Sequence, residues 1–132
     1  MNVFVDSSAL FAVLNAEDSN HKKAFEVWQR LLADDTVLVT TNYVLVETFA
    51  VVQRRFGMEA VRTFHNDIVP ALTILWIDKA VHQAGALAML AAGSRMLSLV
   101  DCVSFHVMRQ HGVKAAFAFD MHFEEQGFNC NP

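Results

Sequence analysis

Val3-Phe4-Val5 and Ala116-Phe117-Ala118-Phe119 are short runs in which apolar residues follow one another instead of alternating with polar ones. A strand with one wet face alternates; a strand covered on both faces does not, and such strands belong to parallel sheets packed between helices. Val37-Leu38-Val39-Thr40 and Leu72 to Ile77 have the same character, and between these four runs the apolar residues fall at helical spacing, as in Ala24, Val27, Trp28, Leu31 and Leu32. The pattern reads as a three-layer α/β/α sandwich around a central parallel sheet of four to five strands.

Local signals divide the chain further. A first strand is expected over residues 2–6 and a short helix over 8–15. The next helix follows a cap at Ser19 or Asn20, and a second strand covers 37–40. Thr41 or Asn42 caps a long helix that Gly57 separates from another over 58–68, ended by Pro70. A third strand covers 72–77 and a helix over 79–92 closes on Gly93. A further helix starts near Ser98 or Asp101 and runs to His111, with Gly112 after it. A fourth strand at 115–119, a short helix after Asp120 and a small edge strand at 128–130 complete the order. With two prolines and no Gly/Ser-rich run, residues 1–132 are expected to form a single domain.

Four acids are set against this apolar background. Asp6 and Asp120 end the first and fourth strands, Glu47 interrupts the run from Tyr43 to Val52, and Asp101 follows Leu97-Ser98-Leu99-Val100. In sheets of this kind ligands bind beyond the carboxyl ends of the strands, where Asp6 and Asp120 fall. The helical neighbours of Glu47 are Tyr43, Val44, Ala50 and Val51, so no cation one turn away offsets its charge. Each aspartate also has a plainer reading: Asp6 and Asp120 as helix caps, Asp101 as the acid of a capping box with Ser98. Converging on one edge, however, four carboxylates repel unless a cation lies among them. An oxygen-only donor set favours Mg2+ or Mn2+, ions that work on phosphates and make a water acidic enough for hydrolysis. Ser7 or Ser8, at the head of the first helix, can offer a hydroxyl or backbone N–H to such a phosphate. Asp78, beside Lys79 at the end of the third strand, ranks below these four.

Other classes are disfavoured. No apolar stretch reaches the roughly 18 residues of a membrane span, and Asp6 interrupts the first apolar segment where a secretory signal would continue, so a cytoplasmic location is expected. Cys102 and Cys130 form no CxxC pair, and the six histidines include no HxxxH or HExxH arrangement. His122 is the histidine nearest the acids and is read as fixing the last turn. There is no GxSxG elbow and no GxxxxGK[ST] loop. A net charge of −4 argues against coating nucleic acid by electrostatics alone, but not against a nuclease whose acids are neutralised by metal. An aspartyl phosphatase would need a second aspartate two residues after the first, and that position is Ser8.

Val5-Asp6-Ser7-Ser8-Ala9-Leu10, the segment Thr40 to Thr48 around Glu47, Leu97 to Phe105 around Asp101, and Ala116 to Phe123 around Asp120 with Gly127-Phe128 together resemble the PIN domain family, and within it the VapC-type ribonuclease toxins. That resemblance implies a strand order 3-2-1-4-5 and a Mg2+ or Mn2+ site of acids matching Asp6, Glu47, Asp101 and Asp120. It further implies endonuclease action on RNA, a homodimer, and a cognate antitoxin that plugs the acidic site. An RNA-processing nuclease without a toxin role, or an inactive binding module whose acids only cap helices, is the alternative.

Overall fold

The computed structural model describes all residues from Met1 to Pro132. Its centre is a five-stranded, all-parallel sheet of order β3-β2-β1-β4-β5, built from β1 (Asn2–Val5), β2 (Val37–Thr41), β3 (Thr73–Leu75), β4 (Ala115–Phe117) and β5 (Asn129–Cys130). The expected fold class and strand order are both found. Val3, Phe4 and Val5 are completely buried, as are Ala116 and Phe117, which is why these runs lack polar alternation.

The helices are α1 (Ser7–Leu14), α2 (His21–Ala33), α3 (Asn42–Phe56), α4 (Met58–Thr63), α5 (Lys79–Ala92), α6 (Leu99–Gln110) and α7 (Met121–Glu125). From β1 to β2 to β3 the chain steps in one direction across the sheet; from β3 it crosses back past β1 to β4 and on to β5. Right-handed crossovers then place α1 to α4 on one face and α5 to α7 on the other. The reversal of direction falls between β1 and β4, a topological switch point where a crevice opens at the carboxyl edge. Asp6 lies at its lip: its N–H still donates to the Phe117 carbonyl at 3.0 Å, while its side chain already belongs to α1.

Several boundaries move for identifiable reasons. The helix expected over 58–68 is α4 alone; Phe64–Ile68 continue as a wide π-type turn and Val69–Ala71 as a tight 3-10 turn. Pro70 has no N–H and crowds the preceding turn, so the last regular bonds are replaced by a wider one from the Val69 N–H to the Phe64 carbonyl. That keeps Phe64 and Ile68 both buried, with Phe64 edge-to-face on Phe49. β3 ends at Leu75, two residues short of Ile77, whose N–H donates to the Asn42 side chain at 2.8 Å rather than to the ladder. β4 stops at Phe117 because the next two N–H groups are claimed by side chains: Ala118 by Asn131 at 3.0 Å and Phe119 by Ser8 at 2.9 Å. Neither Ser19 nor Asn20 caps α2 through its side chain; His21 at its first position bonds the Ala12 carbonyl instead.

Helices α5 and α6 pack tightly at Gly85, where an added Cβ would stand 2.4 Å from Val103 Cγ2 and 3.3 Å from its Cα and N. Because α6 carries Asp101, this contact sets the height of that acid over the sheet. Gly85→Ala should therefore lower stability by about 1–3 kcal/mol despite alanine's better helix propensity, since β-branched Val103 cannot swing away. Urea unfolding would show a lower midpoint with an unchanged slope; an unchanged midpoint would mean that the two helices part freely.

Candidate active site

The four acids expected from the sequence stand towards the carboxyl edge of the sheet, three of them at helix starts and Glu47 further along α3. Asp6 is the N-cap of α1, and one carboxylate oxygen accepts from the Ser8 N–H at 3.1 Å and the Ser8 hydroxyl at 2.6 Å. Asp120 is the N-cap of α7 and accepts from the His122 N–H at 2.9 Å. Asp101 completes a capping box at the head of α6: Ser98 Oγ accepts from the Asp101 N–H at 3.0 Å, and the Asp101 carboxylate accepts from the Ser98 N–H at 3.1 Å. Glu47 lies one turn and a half into α3, with Thr41 capping that helix through the Val44 N–H. The cap readings of Asp6, Asp101 and Asp120 are therefore correct, and the same strand-to-helix turns set these three aspartates at one edge of the sheet.

A chain of hydrogen bonds ties the cluster together. The Ser7 hydroxyl donates to Glu47, linking α1 to α3. Ser8 Oγ gives its proton to Asp6 and accepts from the Phe119 N–H, linking α1 to the segment that leads to Asp120. Both serine hydroxyls are thus engaged by the acids they accompany. No spacing rule reveals the Ser8–Phe119 brace, since its ends are 111 residues apart. Asp78, set below these four, caps α5 through the Val81 N–H at 2.9 Å.

The electrostatics are those of crowded acids. Asp6, 3% exposed, is pushed from 3.8 up to about 7 by burial; its bonds from Ser8 pull it down and the charges of Asp101 and Glu47 push it up again. Asp101 is raised by burial, partly offset by the Ser98 backbone bond, and then by the charge of Asp120. These couplings run from Glu47 through Asp6 and Asp101 to Asp120. No lysine or arginine pairs with any of them: the one ion pair in the molecule is His122 with Glu125, at 3.2 Å on α7, which also raises the His122 imidazole. No three His, Cys, Asp or Glu side chains close on a single point as placed. Each carboxylate is turned to its own cap or hydroxyl, so gathering them on an ion takes side-chain rotation about fixed backbone positions. As a donor set they suit a hard divalent cation, being oxygen-only and without a lysine or arginine partner. Cys102 and Cys130 are free thiols, the first buried and the second half-buried, and no helix is long and apolar enough to cross a membrane.

A pocket of about 390 Å³ opens beside Glu47, lined by Asn42, Tyr43 and Val46 of α3, His82 of α5, and Leu99 and Val100 of α6. It adjoins the acids because Glu47 forms part of its wall and Val100 precedes Asp101.

The chain is similar to known proteins along its length. The chain is 32% identical to the 23S rRNA-specific endonuclease VapC20 of two Mycobacterium tuberculosis strains, over 96% of this chain and 95% of the relative. It superimposes on the crystal structure of M. tuberculosis VapC20, described as a sarcin–ricin loop cleaving toxin, with a TM-score of 0.82 at 31% identity, covering 96% of this chain and 95% of that one. FitAcB from Neisseria gonorrhoeae (TM-score 0.69, 14% identity, 98% and 96% covered) and VapBC2 from Rickettsia felis bound to promoter DNA (0.67, 11%, 98% and 97%) share the fold. The family model described as PIN domain matches residues 3–129, and with the sheet order and the relatives in agreement, the chain belongs to the PIN domain family.

Proposed function

We propose that residues 1–132 act as one domain, a Mg2+- or Mn2+-dependent endoribonuclease that hydrolyses RNA phosphodiester bonds, and that it is the toxin of a type II toxin–antitoxin pair. The observation that carries this reading is the set of carboxylates at the switch point, Asp6, Glu47, Asp101 and Asp120, without a cationic side chain to neutralise them. Asp6, Glu47 and Asp101 hold the ion, and Asp120 completes that site or serves a second one. A divalent cation bound there supplies Lewis acidity towards a phosphate and activates water near neutral pH. The remaining work belongs to the chain: Ser7 orients Glu47, and Ser8 fixes Asp6 against Phe119. Relatives that cut 23S ribosomal RNA support ribosomal RNA as the substrate class. A relative described as a sarcin–ricin loop cleaving toxin supports the toxin role, and a cognate antitoxin partner and homodimerisation in the cytoplasm complete the proposal.

The test is direct. Purified protein incubated with a 23S ribosomal RNA transcript in millimolar Mg2+ or Mn2+ should produce discrete fragments, and excess EDTA should abolish them. Folded protein that leaves the transcript intact in both ions would sink the nuclease reading.

A further inference from the structure

The pocket beside Glu47 has a chemistry unlike that of the acids. Its lining contains no lysine or arginine, so it does not take phosphate. Val46, Leu99 and Val100 supply apolar walls, and Tyr43 and His82 supply aromatic ones. The Tyr43 and His82 rings meet edge-on, 5.8 Å between centroids at 69°, and the Tyr43 hydroxyl shares a hydrogen bond with His82 Nδ1. That bond fixes the tyrosine ring against α5 and leaves it half-exposed towards the pocket, a flat surface held in place before any ligand arrives. Asn42 adds a polar group of known sense. Its oxygen accepts from the Ile77 N–H at 2.8 Å, which leaves its NH2 group as the donor available at the pocket wall. Tyr43 also precedes Glu47 by one helical turn, so whatever lies on the ring is a direct neighbour of that carboxylate.

We propose that this pocket is a nucleobase subsite: Tyr43 stacks an unpaired base of the RNA next to the phosphate held at the acids, His82 backs the tyrosine, and Asn42 donates to an acceptor on the base edge. A flat aromatic face, apolar flanks and an amide donor beside a phosphate-handling site are the elements by which proteins hold splayed-out bases in single-stranded loops. The inference rests on the endoribonuclease reading for its location, and it assigns that reading a requirement: the nucleotide flanking the cleaved bond must be unstacked, which favours loops over helical stems.

Two measurements separate its fate from that of the nuclease reading. In the first, isotope-labelled protein is titrated with each of the four ribonucleoside 5′-monophosphates, with ribose 5-phosphate and with inorganic phosphate, and amide shifts are followed at Tyr43, His82 and Leu99. At least one nucleotide should move these resonances where ribose 5-phosphate and phosphate do not, whether or not the protein cuts RNA. Equal shifts with inorganic phosphate, or none with any nucleotide, overturn the subsite. In the second, Tyr43→Ala should raise KM for 23S ribosomal RNA about tenfold with kcat within about twofold, and Tyr43→Phe, which keeps the stacking face, should recover most of that loss. An unchanged KM in an active enzyme overturns the subsite and leaves the nuclease intact. So does a Tyr43→Ala variant whose only change is in oligomeric mass by light scattering, because the pocket would then belong to a contact between copies of the chain.

Discussion

Asp6→Asn should cut RNA at least about a hundredfold more slowly than the parent while folding at least as well. The two halves of this expectation come from the same few atoms. As an N-cap, asparagine equals aspartate, and its side-chain oxygen can still accept from the Ser8 N–H and hydroxyl that now meet the carboxylate at 3.1 and 2.6 Å. What disappears is the charge, which burial and the neighbouring Asp101 and Glu47 make unfavourable in the metal-free fold. Removing that charge relieves the native state and deprives an ion of an anionic ligand. Changing even the outer partners of metal ligands lowers activity or affinity about 10–100-fold, so loss of a ligand itself is expected at or beyond the upper end. Initial rates on 23S ribosomal RNA together with a thermal melt in EDTA check both halves. A variant that keeps the parental rate would reduce Asp6 to a cap. A variant that melts well below the parent would show instead that the carboxylate stabilises the fold. Asp6→Ala is the poorer probe, since losing the cap alone costs about 1 kcal/mol and confounds the two effects.

The parts of this fold that were legible in the sequence are those governed by local rules. Unbroken apolar runs marked the strands, Thr41 announced α3, Gly93 closed α5, and Ser98 with Asp101 formed the box that their spacing describes. The parts that were not legible depend on partners far along the chain. Nothing near Ile77 indicates that its N–H goes to Asn42, so the third strand is shorter than its apolar run; nothing near Phe119 indicates that Ser8 takes its N–H, and the same holds for the fourth. Pro70 marks the end of a helix, but its influence reaches back a full turn because Phe64 and Ile68 both stay buried while the chain widens. The site followed the same division. The acids could be singled out from the apolar runs that they end or interrupt, and their places at strand ends and adjoining helix starts suggested their grouping. The Tyr43–His82 pair could not be singled out, because residues 43 and 82 meet only where the first turns of α3 and α5 come together at the carboxyl edge of the folded sheet.

Metal-free protein should lose stability as pH rises from about 4 to about 7, and Mn2+ should restore it only at the upper end. The unfolded chain releases the Asp6 proton near 3.8, whereas the fold retains it up to about 7. Between those values the native state binds more protons than the unfolded one, so its stability falls with rising pH and levels off above the higher value. At about 1.4 kcal/mol per pH unit, Asp6 alone accounts for roughly 4 kcal/mol, on the order of 10 °C in melting temperature for a domain of this size. Asp101, raised for the same reason of burial, acts in the same direction. His122, raised by its bond to Glu125, also favours the fold at low pH, but that pair lies at the surface and contributes little. An ion that binds only the folded, deprotonated site reverses the trend: at a hundred times its dissociation constant it adds about 2.7 kcal/mol, and protonated carboxylates forfeit that gain. The melting temperature with Mn2+ should therefore exceed that in EDTA clearly at pH 8 and hardly at pH 5. Asp6→Asn isolates the cause, since every other carboxylate is common to both proteins. Its metal-free profile should rise above the parent's as pH passes from 5 to 8, and most of the Mn2+ increment should vanish. Parallel profiles for the two proteins would mean that the buried charge at Asp6 is already compensated and that no cation is required there.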